Sequence, residues 1–242
     1  MGTLYIVATP IGNLEDITIR AINTLVTVPV VACEDTRHTG QLIKIVKERY
    51  RLVISNFEFL IPKQKFISVR DWNEGRMVSL LLGYLVHSDV ALVCDAGTPL
   101  ISDPGYKVVR AARAAGFGVS PIPGPAAVTA ALSASGLPTN KFLFLGFLPK
   151  KWELLSGLTH VIYESPTRLE KTLRIILERY PEAEVIIARE LTKVHEQFVG
   201  YALGDRLGKI KGEATVLVWL PERNIRKEIS ADHGNGNGNV HG

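Results

Sequence analysis

Two groups of acidic residues stand where chemistry could be done. Glu34-Asp35 follows the apolar run Val28–Cys33, and Asp95 follows Val90–Cys94. Runs of this length and character read as strands buried on both faces of a parallel sheet, and in such sheets ligands sit just past the carboxyl ends of strands. Asp95 opens the turn Asp95-Ala96-Gly97-Thr98-Pro99-Leu100-Ile101-Ser102-Asp103-Pro104-Gly105, and a helix is predicted from Tyr106 to Ala115. This turn has two readings: a ligand loop, or a capped connection with Ser102 or Asp103 as helix N-cap. The turns after the first, second, fourth and fifth strands are rich in Gly, Pro, Ala and Thr, so backbone amides and carbonyls can approach a ligand closely. Lacking lysine and a glycine-rich cradle, they suit a zwitterionic, nucleoside-containing ligand better than a nucleotide. Several other chemistries are excluded. The sequence has no Walker loop, no Gly-x-Gly-x-x-Gly and no Gly-x-Ser-x-Gly elbow, and its six histidines and two cysteines make no metal-ligand spacing.

The elements that must position these residues alternate regularly in the first half. Thr3–Thr9 is a predicted strand, and Asn13 or Asp16 can cap a helix carrying Ile19, Ile22, Leu25 and Val26. The strand Val28–Cys33 leads to a helix from about Thr39 to Tyr50. Leu52–Ile54 is a third strand, residues 64–86 hold helical material, and Gly118–Ile122 is a fifth strand ending in Pro123-Gly124-Pro125-Ala126-Ala127, which opens a small-residue helix to about Ser135. Five short strands alternating with helices predict a parallel α/β domain over residues 1–137. Beyond Gly136–Asn140 the pattern changes. Strands are predicted at Phe142–Phe147, His160–Glu164, Glu184–Glu190, Glu196–Ala202 and Ala214–Leu220, with a helix at Pro166–Tyr180. Their close succession predicts antiparallel pairing and a mixed-sheet α/β domain over residues 138–222. Residues 223–242, with the run Gly234-Asn235-Gly236-Asn237-Gly238-Asn239, form a low-complexity tail expected to be disordered.

At 242 residues, 46% hydrophobic, the chain can bury a sizeable core in one or two domains. Cys33 and Cys94 each end a buried strand without a nearby partner and read as small core residues in a reducing compartment. Met1 leads straight into a strand, with no signal peptide and no membrane-length apolar run, so a cytoplasmic protein without a membrane partner is expected. A net charge of +4 is compatible with a polyanionic partner without requiring one.

Seven segments occur in an order that resembles a known family: Thr9–Leu14, Cys33–Gly40, Asp95–Gly105, Pro123–Ala127, Gly146–Pro149, Tyr163–Leu169 and Arg189–Lys193. Together they are similar to the 2′-O-ribose (cytidine) methyltransferases of small-subunit ribosomal RNA, within the tetrapyrrole-methylase superfamily. The resemblance spans roughly residues 2–221. It implies two α/β domains, a cleft holding S-adenosylmethionine, a homodimer, and methylation of a ribose in the decoding region of 16S rRNA on the 30S subunit; with no ligand cluster in the sequence, no metal is expected. For the cofactor it implies Pro10, Asp95, Gly97, Thr98, Ile101, Ser102, Ala126, Ala127, Tyr163, Leu191, Ala214 and Thr215. A ribose hydroxyl is a poor nucleophile that needs a base or charge partner. Glu34, Asp35, Glu164, Glu190 and Lys193 are the candidates, and spacing alone does not choose among them or separate them from helix caps and salt bridges.

RNA is expected on basic faces. Arg37, Lys44, Lys47 and Arg51 fall on one helical stripe with Leu42 and Val46 opposite, and His38 adjoins it. In the second half Arg168, Lys171 and Arg174 lie opposite Leu169, Leu173 and Ile176. Solvated helix faces are the alternative. The chain also departs from the family pattern. The histidine- and asparagine-rich stretch after the third strand is represented by Ser55–Phe59, the basic loop after Gly146–Pro149 is cut to Lys150-Lys151-Trp152, and the C-terminal extension is replaced by the Gly/Asn tail. Two rival functions share the fold: a methyltransferase acting on a small molecule such as a tetrapyrrole, and a non-catalytic RNA-binding relative.

Overall fold

A computed structural model of the chain describes residues 1–51, 63–208, 212 and 214–222. It divides into two compact units: Met1–Ala130 with Glu190–Glu196, and Ala131–Arg189 with the described residues from Gln197 on. No helix among the described residues is long and apolar enough to cross a membrane.

The first unit runs β1 (Thr3–Val7), α1 (Ile19–Thr27), β2 (Val30–Cys33), α2 (Thr36–Arg49), β3 (Lys65–Ser68), α3 (Glu74–Leu85), β4 (Val90–Leu92), α4 (Tyr106–Ala114) and β5 (Gly118–Ile122); α5 (Ala127–Ala134) begins in it. The sheet order is β3-β2-β4-β1-β5, parallel throughout. Side chains alternate between sheet faces, and two cores result. Val31, Cys33, Ala91 and Val93 join Ile22, Leu25 and Val46, whereas Val30, Ala32, Val90 and Leu92 join Leu81, Leu85 and Val108. Burial on both faces explains why β2 and β4 are unbroken apolar runs. Chain connections step toward β3 across the first core and back toward β5 across the second, as right-handed crossovers require. The connections leaving β1 and β4 therefore part in opposite directions, and a crevice opens at their carboxyl ends.

Several local expectations are corrected. Leu52–Ile54, Ser55–Phe59 and the tail from residue 223 on lie outside the described residues. The third strand described is β3, inside the stretch expected to be helical. Its Lys65-Phe66-Ile67-Ser68 is too short for helical periodicity to show and pairs in register with Val30–Cys33. Helix α2 starts at Thr36 because the Asp35 carboxylate accepts the amides of Arg37 (2.8 Å) and His38 (3.4 Å). Asn13 caps only a 3-10 turn, Leu14–Asp16, and α1 is capped by Thr18, whose hydroxyl accepts the Ala21 amide.

The second unit holds β6 (Phe142–Phe147), β7 (Leu158–Glu164), α6 (Pro166–Arg179), β8 (Glu184–Arg189), β9 (Gln197–Gly200) and β10 (Ala214–Leu220), in the order β6-β7-β10-β8-β9. Only β6 and β7 are parallel, so the sheet is mixed as expected. Proline at the first turn starts α6, and Leu169, Leu173, Ile176 and Leu177 recur at helical spacing to cover Ile162, Ile187, Val216 and Val218.

His160 is fully buried in β7. Its Nε2 accepts the Leu155 amide at 2.9 Å and its Nδ1 faces the Val218 carbonyl at 3.2 Å, so the ring is neutral with its proton on Nδ1. Burial lowers its pKa below the usual histidine value, a tendency the Val218 carbonyl opposes. The unfolded chain therefore binds the proton more readily. The stability this site contributes is present above the ordinary histidine pKa of about 6.5 and is lost as pH falls through the lower folded value. Urea midpoints measured between neutral and mildly acidic pH should fall less in His160→Gln than in the wild type. Parallel pH dependences in the two proteins would contradict this.

Candidate active site at the carboxyl edge of the parallel sheet

The crevice is spanned by a reciprocal backbone bridge. The Thr9 amide donates to Gly97 O at 2.8 Å, and the Gly97 amide returns to Thr9 O at 3.0 Å. Thr9 is buried, and its hydroxyl lies 3.3 Å from Cys94 O. From there the loop is tied at three further points. Asp95 Oδ1 accepts the Asp35 amide at 3.1 Å, Thr98 Oγ1 donates to Pro125 O at 2.9 Å, and Glu74 Oε1 accepts the amides of Gly105 (3.0 Å) and Lys107 (2.7 Å). The last tie corrects the expected N-cap: neither Ser102 nor Asp103 caps α4. The cap residue is Gly105 at φ +134°, where a Cβ would lie 2.8 Å from Leu92 Cδ2, and the capping carboxylate comes from α3.

Between these ties the backbone is strained. Leu100 has φ +72° and Ser102 +66°, while Gly97, at +87°, takes this region without steric cost. A second loop, also in this unit, holds Glu190 at +50° and Thr192 at +64°. All the positive-φ residues other than glycine among the described residues thus sit in these two loops, and such strain collects at ligand-binding sites. The second loop packs on Gly12, where a Cβ would lie 2.7 Å from Leu191 O. Thr192 Oγ1 is buried there without a hydrogen-bond partner.

The carboxylates at this edge differ sharply. Burial raises the pKa of Glu34 from the ordinary glutamate value, with Asp95 and Asp103 adding to the rise and Arg70 opposing it. Asp35 is held well below the usual carboxylate range by its hydrogen bond to the Arg37 side chain and by the Arg37 amide. Arg70 reaches both residues, its Nε donating to the Glu34 backbone carbonyl at 3.1 Å and its guanidinium lying 3.7 Å from Asp35 Oδ2. Glu190 is ion-paired to Lys193 at 3.1 Å. Both cysteines are buried free thiols; burial pushes Cys33 up to about 11 and raises Cys94 as well, so neither is a nucleophile at neutral pH.

Residues 3–205 match the Tetrapyrrole (Corrin/Porphyrin) Methylases. The chain belongs to this family. Among its relatives, proteins named ribosomal RNA small subunit methyltransferase I are 43% identical in Hydrogenobaculum, over 93% of this chain and 98% of that one, and 41% identical in Thermotoga maritima, over 90% and 98%. Uroporphyrin-III C-methyltransferase from Thermus thermophilus superposes with a TM-score of 0.63 at 21% identity, covering 90% of this chain and 94% of that one. A second structure of that enzyme, described as complexed with S-adenyl homocysteine, gives 0.59 at 19% identity, covering 93% and 100%. These solved structures show that the fold is that of tetrapyrrole methylases.

Of the residues expected at a methylase cofactor site, Pro10, Asp95, Gly97, Thr98, Ile101, Ser102, Ala126, Ala127 and Leu191 all belong to the first unit. Tyr163, Ala214 and Thr215 belong to the second, where Thr215 pairs with Tyr163 and Ala214 with Glu164 across β10 and β7. Glu164 is not a free base. It is 2% exposed, its Oε1 accepts Ser165 N and Arg168 Nε, and its Oε2 accepts Thr172 Oγ1. Lys47 is corrected too. It does not point away from the core, since α2 buries Ile43 one turn earlier, and Lys47 Nζ donates to Gln64 at 3.2 Å. All six of Arg37, Lys44, Arg51, Arg168, Lys171 and Arg174 are exposed, and Arg37, Arg168 and Arg174 are each salt-bridged.

Sequence reasoning missed Glu74, Arg70 and Thr192. Glu74 sat inside an apparent helical pattern, and the only local signal was its position directly after Asn73. At Gly97 an added Cβ finds room, its nearest neighbour being Ile11 Cγ2 at 3.4 Å. The cost of Gly97→Ala is therefore that of placing an L residue at positive φ, about 1–2 kcal/mol. Urea unfolding should show that loss. A variant as stable as the wild type would show that the loop relaxes freely.

Proposed function

We propose that this protein is an S-adenosylmethionine-dependent methyltransferase that modifies the 2′-hydroxyl of a cytidine ribose in 16S rRNA of the small ribosomal subunit. The observation that carries this reading is the identity to relatives named for ribosomal RNA methylation, sustained along almost the whole of both chains. When bound, S-adenosylmethionine supplies an activated methyl group on a sulfonium cation. The residues of the carboxyl edge fit such a ligand. Burial chiefly raises Glu34, and Asp95 and Asp103 beside it add to the rise, so a cation is welcome where a pyrophosphate is not. The loop from Asp95 to Gly105 is held in a strained conformation at Leu100 and Ser102, and the unpartnered Thr192 hydroxyl has hydrogen-bonding capacity to give.

The candidate base is Glu34. Glu164 has its carboxylate committed to Ser165, Arg168 and Thr172, Asp35 is committed to capping α2, and Glu190 is paired with Lys193. Glu34 alone among the candidates combines partial exposure with a raised proton affinity, which moves a carboxylate toward the range useful for accepting a hydroxyl proton. Arg70 lies beside it and stabilises the ionised form between turnovers. Most of the remaining acceleration comes from holding the ribose oxygen in line with the methyl group.

The test is transfer of labelled methyl from S-adenosylmethionine to 30S subunits, with nuclease mapping of the product. Glu34→Gln should lower kcat roughly 100-fold or more, the usual contribution of a general base, a larger loss than any it causes in cofactor affinity. Since Glu34 must be ionised to act, wild-type kcat should rise with pH through a pKa above the ordinary glutamate value. A Glu34→Gln variant with wild-type kcat would remove Glu34 from this role.

A further inference from the structure

Two aromatic side chains stand out on the surface of the first unit. Trp72 is 71% exposed and Tyr106 is 61% exposed, the highest values for aromatic residues among those described. Each is paired with an arginine one helical turn later. The Arg76 guanidinium lies 5.7 Å from the Trp72 ring centroid, and Arg110 Nη1 donates to Tyr106 Oη at 3.2 Å.

The two pairs are neighbours, since one side chain joins their helices. Glu74, two residues after Trp72, accepts the amides of Gly105 and Lys107, which flank Tyr106. The turn carrying Trp72 is fixed as well. Asn73 Oδ1 accepts the Arg70 amide at 2.8 Å, and Asn73 Nδ2 donates to Ser68 O at 3.2 Å. The same turn reaches the candidate base, because Ser68 Oγ and Arg70 Nε both donate to Glu34 O, at 3.0 and 3.1 Å. A rigid turn thus holds an indole in water when its hydrogen bonds would hold a polar residue equally well.

We infer that Trp72 and Tyr106, with Arg76 and Arg110, form a stacking platform for unpaired nucleotides of the RNA beside the modified ribose. The inference rests on the rRNA reading above. Stacking on aromatic rings and arginine planes is how proteins grip splayed single-stranded bases, and it tolerates any sequence because every base has a π-face. Adjacent arginines favour a polyanion over a second copy of this chain, which would bring the same positive charges face to face. The platform lies on the turn before α3 and on α3 and α4, away from the stripe on α2 where Lys47 is already held by Gln64.

The experiment compares wild type, Trp72→Ala, Tyr106→Ala and the double variant in binding to a 16S rRNA fragment with an unpaired target region. S-adenosylmethionine affinity by calorimetry, methyl transfer to 30S subunits and mass by light scattering are measured in parallel. Each alanine variant should weaken RNA binding by roughly fivefold to a hundredfold. Trp72→Phe and Tyr106→Phe should keep most of the affinity, and cofactor binding should be unchanged. RNA should also quench indole fluorescence in the wild type more than in Trp72→Phe. RNA affinity equal to wild type in both alanine variants overturns the platform and leaves the rRNA reading standing. So does a change of oligomeric state in the alanine variants, which would make the face an interface between copies. A wild-type protein that transfers no methyl group to 30S subunits refutes the rRNA reading itself.

Discussion

The first unit depends on a carboxylate placed far from water. Glu74 is 5% exposed and accepts amides at the start of a helix that is not its own. A buried carboxylate is tolerable only when its charge is met, and the unpaired amides and positive end of α4 meet it. In return the cap frees Gly105 to adopt a conformation barred to other residues, and so lets the loop from Asp95 turn back sharply into α4. The strain at Leu100 and Ser102 persists because this cap and the Thr9–Gly97 bridge hold both ends of the segment.

Charge is distributed at this edge in two layers. The inner layer is acidic, Glu34, Asp95 and Asp103, and suits a cation. Around it acidic and basic groups stand together: Asp35 is paired with Arg37 and Arg70, and Asp71 lies close enough to act on Glu34. Arg70, from the short turn after β3, donates to the Glu34 backbone carbonyl and pairs with Asp35, and so offsets part of the negative charge gathered there. The net charge of +4 conceals this arrangement, because opposite charges segregated a few residues apart cancel in any composition.

Much of this was legible in the sequence, for physical reasons that also explain the failures. Val30–Cys33 and Val90–Leu92 were readable as doubly buried strands because burial on both faces forces unbroken apolar runs. The mixed sheet followed from strands too close together for crossovers. The strand at Lys65–Ser68 was missed because an edge strand with one buried residue has no such pattern. Helix caps were misplaced by a few residues wherever several Ser, Thr, Asn or Asp were available, since any of them can cap and tertiary position decides. The role of Glu74 was invisible, because its partners lie about thirty residues downstream in the chain. Lys47 was misjudged because a helical wheel shows which residues share a face but not which face the sheet covers.

The short segment Glu190–Glu196 belongs to the first unit although the strands on either side of it belong to the second. The chain therefore passes between the units three times. On a ribosome, where the chain emerges from its N-terminus, the surface at Gly12 waits for its covering loop until all of Ala131–Arg189 has been made. The first unit cannot reach its final form as an independently synthesised piece, and a nascent chain paused near Ala130 would display Gly12 and its surroundings uncovered. Completion of this part of the first unit is thereby deferred until most strands of the second have been made.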